Sequence, residues 1–236
     1  MDSILTVRQL WRYPVKSMGG ERLDPVLVEA TGFEGDRRWG VVDLESGRVL
    51  TAKREKRLLF ASARLAGPDR VEITLPDGSL ADDDTLSRWL DRPVALARAG
   101  EVGGIYENPR DFENETDWVT WQGPPHAWHD SVRVSLVSTA TLGGWDVRRF
   151  RPNIVLEGEG EDELVGRRID IGGVTLDVNK RIDRCIVVTR AQPDVQADLD
   201  VLRTINRIRD SYLAVGALVR RGGVLSVGDR LRVLAF

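Results

Sequence analysis

Apolar residues along this chain fall in short runs broken by glycine, proline and acidic turns. Residues 4–11, 26–30, 39–43, 49–52 and 71–75 are each short and rich in β-formers, which predicts a meander of strands over the first hundred residues. The turns fit this reading: Leu44-Glu45-Ser46-Gly47 joins two of the runs, and Pro76-Asp77-Gly78 ends another with residues that accept turn dihedrals. Residues 84–90 read as a short helix, with Leu86 and Leu90 four apart and Asp84 as N-cap. From Gly100 to Asp130 no period survives, and a stretch of this length predicts either a domain connection or a functional lid.

Beyond it, residues 132–137, 153–156, 169–171, 174–178 and 185–188 resume as strands. A helix is predicted over 197–209. Its stripe is Leu199, Leu202, Ile205 and Ile208, with Asp198 and Asp200 in the first turn and Arg207 and Arg209 in the last, as the helix dipole favours. Strands at 213–219 and 231–234 close the chain. The fold class is therefore mainly β with a few helices (α+β), divided into 1–100, a connecting loop or lid at 101–130, and 131–236.

The chain has 236 residues, 42% hydrophobic and 30% charged, enough for a buried core. Thirty-four basic against 37 acidic residues leave a net charge of −3, so no general affinity for nucleic acid is expected. The N-terminal sequence carries charges and a proline where a signal peptide needs an apolar run, and no stretch reaches membrane-spanning length. A cytoplasmic protein without membrane attachment is expected. One cysteine, Cys185, rules out an intramolecular disulfide and a cysteine-rich zinc site.

Four segments carry candidate chemistry. Tyr13-Pro14-Val15-Lys16-Ser17-Met18-Gly19-Gly20 offers a cation, a hydroxyl and flexible glycines, an anion cradle or equally a solvated turn. In Gly32-Phe33-Glu34-Gly35-Asp36-Arg37-Arg38-Trp39, arginine beside aspartate grips a phosphate or forms an ordinary ion pair. Phe150-Arg151-Pro152-Asn153 brings polar groups to an apolar strand, where they either cap it or face a site. Lys180-Arg181-Ile182-Asp183-Arg184-Cys185 sets the thiol between cations and an apolar run, so Cys185 is either a small core residue or a reactive thiolate.

His126 and His129 give weak support for a metal pair, and the acidic runs Glu161-Asp162-Glu163 and Asp82-Asp83-Asp84 read as solvated faces or caps. Walker A, dinucleotide-glycine, nucleophile-elbow and HExxH patterns are missing from the sequence.

In order, YPVKS, GxxGDRRW, FRPNIV and a lone RC before an apolar run resemble the MOSC family of molybdenum-cofactor-binding proteins. The similarity is to the type with an N-terminal MOSC β-barrel domain followed by the MOSC β-barrel domain, as in amidoxime-reducing components. SLVSTATL and the closing SVGDRL extend it nearly to the C-terminus.

The resemblance implies that Cys185 is the catalytic molybdenum ligand, suited as a soft thiolate to that metal. It implies that Lys16, Ser17 and Arg37 hold the pterin and its phosphate, and that Arg151 and Asn153 contact the cofactor. Asp130, Ser138, Thr139 and Asp183 are grouped with these cofactor-binding positions. The implied cofactor is Mo-molybdopterin, without pyridoxal phosphate. The implied reaction is oxygen-atom transfer from an N-hydroxylated or N-oxygenated small molecule, with a separate electron-donor protein because one cysteine cannot ligate an iron–sulfur cluster. The alternative is a cofactor carrier or sulfur-transfer module without turnover. Arg220 and Arg221 add positive charge either near a mouth or at a solvated hairpin end.

Overall fold

The computed structural model describes residues 5–110, 117–128 and 132–234. Its main element is an eight-stranded sheet. In spatial order the strands are Leu231–Val233, Arg168–Ile171, Val174–Asp183, Tyr212–Arg221, Val134–Ser138, Ile154–Glu157, Thr6–Arg12 and Glu21–Leu23. Neighbours run antiparallel except Val134–Ser138 against Ile154–Glu157. The sheet curls into a half-barrel, and backbone bonds from Val7 N–H to Asp229 O and from Leu231 N–H to Leu5 O draw the first and last strands together. Leu10, Leu136, Ile154, Leu176 and Val215 are wholly buried in its core.

The first strands of the chain thus belong to the core of its second half. Val26–Glu29 likewise pairs with Gly223–Leu225. A second core gathers Val15, Met18, Val41, Leu58, Leu86 and Leu90 between two-stranded sheets and a helix, α1 (Asp83–Leu90). The α1 cap is Asp82, not Asp84: its carboxylate accepts from Thr85 N–H at 2.8 Å. Of the run at 49–52, only Val49 makes a bridge, to Val42.

Three expected elements are corrected as well. The aperiodic stretch after Gly100 contains a hairpin, Ile105–Pro109 with Trp118–Gln122. Its apolar face is narrow, essentially Tyr106, so no alternation shows in the sequence. The run 185–188 is not a strand but the start of a 3-10 turn, Ile186–Thr189, closed by Thr189 Oγ1 donating to Ile186 O at 2.7 Å. Short apolar runs do not separate these two outcomes.

The third concerns α3 (Asp200–Arg209), after α2 (Thr139–Leu142). α3 buries Val201 and Ile205 while Leu199 and Ile208 are exposed. A spacing of three drifts by roughly 60° per step around a helix, so four such residues cannot share one face. Glu161, read as solvated, is buried, with its carboxylate 3.9 Å from Arg209 Nη2. Among the described residues, no helix is long and apolar enough to cross a membrane.

Candidate functional site

A cavity of about 250 Å³ opens between loops of the first half of the chain and the segments 149–153 and 182–188 of the second. One wall comes from the first half of the chain: Lys16, Ser17, Arg37, Thr51 and Lys53. The other comes from Arg149, Arg151, Asn153, Arg184 and Cys185, with Asp183 beside them.

The first wall is built by loops in an uncommon backbone state. Ser17, Arg37 and, across the cavity, Arg151 all adopt positive φ, at 68°, 49° and 53°. Non-glycine residues enter this region at a cost, and such strain concentrates at functional sites. Buried Asp36 holds the geometry, accepting from Tyr13 N–H at 2.7 Å and from Arg37 Nη1. Arg37 Nη2 then donates to Arg151 O at 3.0 Å, tying one wall to the other. Arg151 reaches back to Met18 O, and both guanidiniums lie over the Tyr13 ring, at 4.3 Å for Arg151 and 4.9 Å for Arg37. Burial pushes the Tyr13 phenol far above its ordinary range, so it stays protonated.

Lys16 is also buried, with Nζ donating to Trp128 O at 3.0 Å and lying 4.5 Å from the Tyr106 ring centroid. Ser17 Oγ accepts from Ala52 N–H at 2.9 Å. The neighbouring glycines do not form an open cradle. Gly19 N–H is spent on Ala61 O, and a Cβ on Gly20 would stand 2.3 Å from Arg12 O. They are there for close packing.

On the opposite wall, Asn153 Oδ1 accepts from Ser135 N–H and Oγ, each at 3.1 Å, while its Nδ2 donates to Trp11 O at 3.3 Å. Cys185 is half-buried and sits just before the 3-10 turn. Arg149 secures that turn through Val188 O at 3.2 Å and Gln196 O at 2.6 Å. Arg184, which in the sequence counts only as one of the cations flanking the thiol, is a lining residue of the cavity. Some of it is exposed, but its guanidinium is enclosed: Nε donates to Leu213 O at 2.7 Å, Nη1 to Phe150 O at 3.2 Å, and Nη2 has no partner among the described residues. Burial lowers its pKa to about 10, opposed by Cys185 and Asp183, and it remains a cation at neutral pH.

The structure therefore brings Lys16, Ser17, Arg37, Arg151, Asn153, Asp183 and Cys185 to one cavity. It does not bring Ser138 or Thr139 there. Ser138 is wholly buried and caps α2 by accepting from Thr141 N–H at 3.1 Å, and Thr139 Oγ1 bonds Gly158 N–H. Their polarity is consumed in turning the strand into α2. Asp130 and His129 lie outside the described residues. Arg220 and Arg221 pair with Asp177 and Asp170 near a hairpin end, away from the cavity. Thr51, Lys53 and Arg149 gave no signal in the sequence, because nothing local marks a turn residue as facing a distant wall.

Comparison with known proteins agrees with this two-part construction. Residues 4–97 match the MOSC N-terminal beta barrel domain and residues 127–232 the MOSC domain. The chain is 27% identical to a molybdenum cofactor sulfurase of Drosophila grimshawi over 90% of its own length and 32% of that protein. It thus spans about a third of the sulfurases it matches. It is also 27% identical to human mitochondrial amidoxime-reducing component 1, over 89% of this chain and 73% of that one. Among solved structures, the YUAD protein from Bacillus subtilis aligns over 99% of this chain and 97% of its own at 14% identity and a TM-score of 0.49. With both domain models matched in sequence order, the chain belongs to the MOSC family, in the form that carries an N-terminal β-barrel domain.

Proposed function

We propose that this chain is a molybdenum-cofactor-dependent reductase of N-hydroxylated small molecules, supplied with electrons by a separate protein. The observation that carries the reading is a lone thiol in a cavity lined, among the described residues, by six cationic side chains, Lys16, Arg37, Lys53, Arg149, Arg151 and Arg184, against one carboxylate, Asp183. Such a cavity suits a phosphorylated, thiolate-ligated group. The enclosed Arg184 Nη2 and Thr51 Oγ1, both without hydrogen-bond partners among the described residues, fit a polar ligand completing the wall.

Lys16, Ser17 and Arg37 would hold the phosphate, Arg151 the pterin side and Cys185 the metal, with Asn153, bonded to Ser135 and Trp11, fixing the strand start next to Arg151. When bound, the cofactor supplies the two-electron chemistry that accepts oxygen from an N–OH group. The protein's own contribution is electrostatic and geometric. Arg184 balances the charge of a ligating thiolate from a fixed position. The Arg37 and Arg151 guanidiniums are clamped by Tyr13, Asp36 and backbone carbonyls, so they need no reorganisation on binding. Overall, R–NH–OH, two electrons and two protons give R–NH2 and water.

The similarity to sulfurases, which contain a region like this chain as about a third of their length, favours a second reading: a cofactor carrier or sulfur-transfer module. Turnover separates the two. Loaded protein, given a chemical reductant and an amidoxime or hydroxylamine, is expected to form amidine or amine over many cycles. A carrier yields at most one equivalent, and that result would overturn the reductase reading.

A further inference from the structure

Thr51 is at least nine-tenths buried, lines the cavity, and its hydroxyl has no hydrogen-bond partner among the described residues. A buried hydroxyl in this state is unfavourable, and valine would fill the same volume without the unmet group. The backbone around it offers no relief. Thr51 O already accepts from Arg54 N–H at 2.9 Å and Glu55 N–H at 2.8 Å. Ala52 N–H is committed to Ser17 Oγ at 2.9 Å, which fixes the loop against the Lys16–Ser17 segment. Lys53 Nζ, on the same wall, donates to Asn108 Oδ1 at 2.7 Å. The Thr51 backbone is thus fixed next to the Lys16–Ser17 segment, on the wall that also carries Lys53, and its hydroxyl is left unmet by the described residues.

In that cationic setting the complementary partner is an anionic acceptor oxygen. We infer that Thr51 is a further anion-binding residue of this site, its hydroxyl donating to a phosphoryl oxygen seated against Lys16 and Ser17. This rests on the proposed reading of the cavity as a cofactor site only in naming the source of the phosphoryl group. Free inorganic phosphate presents the same chemistry.

The test uses full-length wild type, Thr51→Val and Thr51→Ser. Protein purified from a cofactor-making host is assayed for pterin content. Protein from a cofactor-deficient host is titrated with inorganic phosphate at constant ionic strength, with thermal stabilisation as the readout. Thr51→Val is expected to lose about tenfold in phosphate affinity and most of the retained pterin, as removal of a charge-assisted hydrogen bond predicts. Thr51→Ser is expected to restore at least half of both. Wild-type behaviour of Thr51→Val in both assays would overturn the inference. So would a Thr51→Ser variant as impaired as Thr51→Val, since the methyl group would then be responsible. Pterin loss with unchanged phosphate affinity would overturn the phosphoryl assignment. If wild type holds no pterin, the functional reading falls, and the phosphate titration alone still decides the role of Thr51.

Discussion

Two sets of polar residues, at the cavity or directly behind its wall, differ in how fully their hydrogen bonds are met. At Asn153 and Ser135 every strong group is reciprocated: Asn153 N–H donates to Ser135 Oγ, Ser135 N–H and Oγ donate to Asn153 Oδ1, and Asn153 Nδ2 donates to Trp11 O. At Tyr13, Thr51 and Arg184, each residue keeps one buried polar atom without a partner among the described residues. The closed cluster joins the strands Thr6–Arg12, Val134–Ser138 and Ile154–Glu157 where parallel and antiparallel pairings meet, so it fixes sheet register. The three unmet atoms, Tyr13 Oη, Thr51 Oγ1 and Arg184 Nη2, contribute no hydrogen bond to the described fold. Polar groups kept at the expense of stability point to ligand binding where they face a cavity.

The difference can be broken by mutation. Asn153→Ala strips partners from Ser135 and Trp11 inside the sheet and is expected to destabilise the protein by about 3 kcal/mol in urea unfolding. A loss under about 1 kcal/mol would mean that the closed cluster does not hold the register. Tyr13→Phe removes a buried hydroxyl that bonds nothing and does not line the cavity, while keeping the ring beneath Arg37 and Arg151. It is expected to raise stability by roughly 0.5–1 kcal/mol, read as a higher Tm without ligand. Destabilisation by Tyr13→Phe would show that orphaned hydroxyls are not a cost here and would remove the physical basis for reading Thr51 as a ligand contact.

The smallest effect lies at Asp146, which caps the turn before Phe150. The Arg148 side chain and N–H hold its carboxyl below the usual range, with partial burial acting the other way. A depressed folded pKa contributes stability that is present above the unfolded value, about 3.9, and is lost as pH falls through the folded one. Asp146→Asn should therefore flatten the acid side of the stability profile below about pH 4, by under about 1 kcal/mol because the pair is partly solvated. An unchanged acid limb would count against the contribution of this pair.

Much of the fold was legible because strands with one clear apolar face announce themselves, as at 39–43, 71–75 and 174–178. The hairpin at Ile105–Pro109 and Trp118–Gln122 was hidden since it buries little beyond Tyr106. The turn after Cys185 was misread because Ile-Val-Val fits a strand until Arg149, distant in sequence, is seen to hold it. Site positions within recognisable motifs, such as Lys16, Arg37, Arg151 and Cys185, meet at one cavity. Ser138 and Thr139 look alike in sequence to cofactor contacts, yet local capping consumes them. Thr51 and Lys53 became visible only when the walls were assembled, as no local pattern encodes the neighbour across a cavity.

The central claim is that Cys185 and the cations around it form a molybdenum-cofactor site. Molybdenum and pterin should be measured in wild type and Cys185→Ser, both purified from a host shown to load another molybdenum protein. The account predicts near-equimolar metal and pterin in wild type, and a folded Cys185→Ser protein whose molybdenum is lost or catalytically inert. Neither metal nor pterin in wild type, or full turnover by Cys185→Ser, would contradict it.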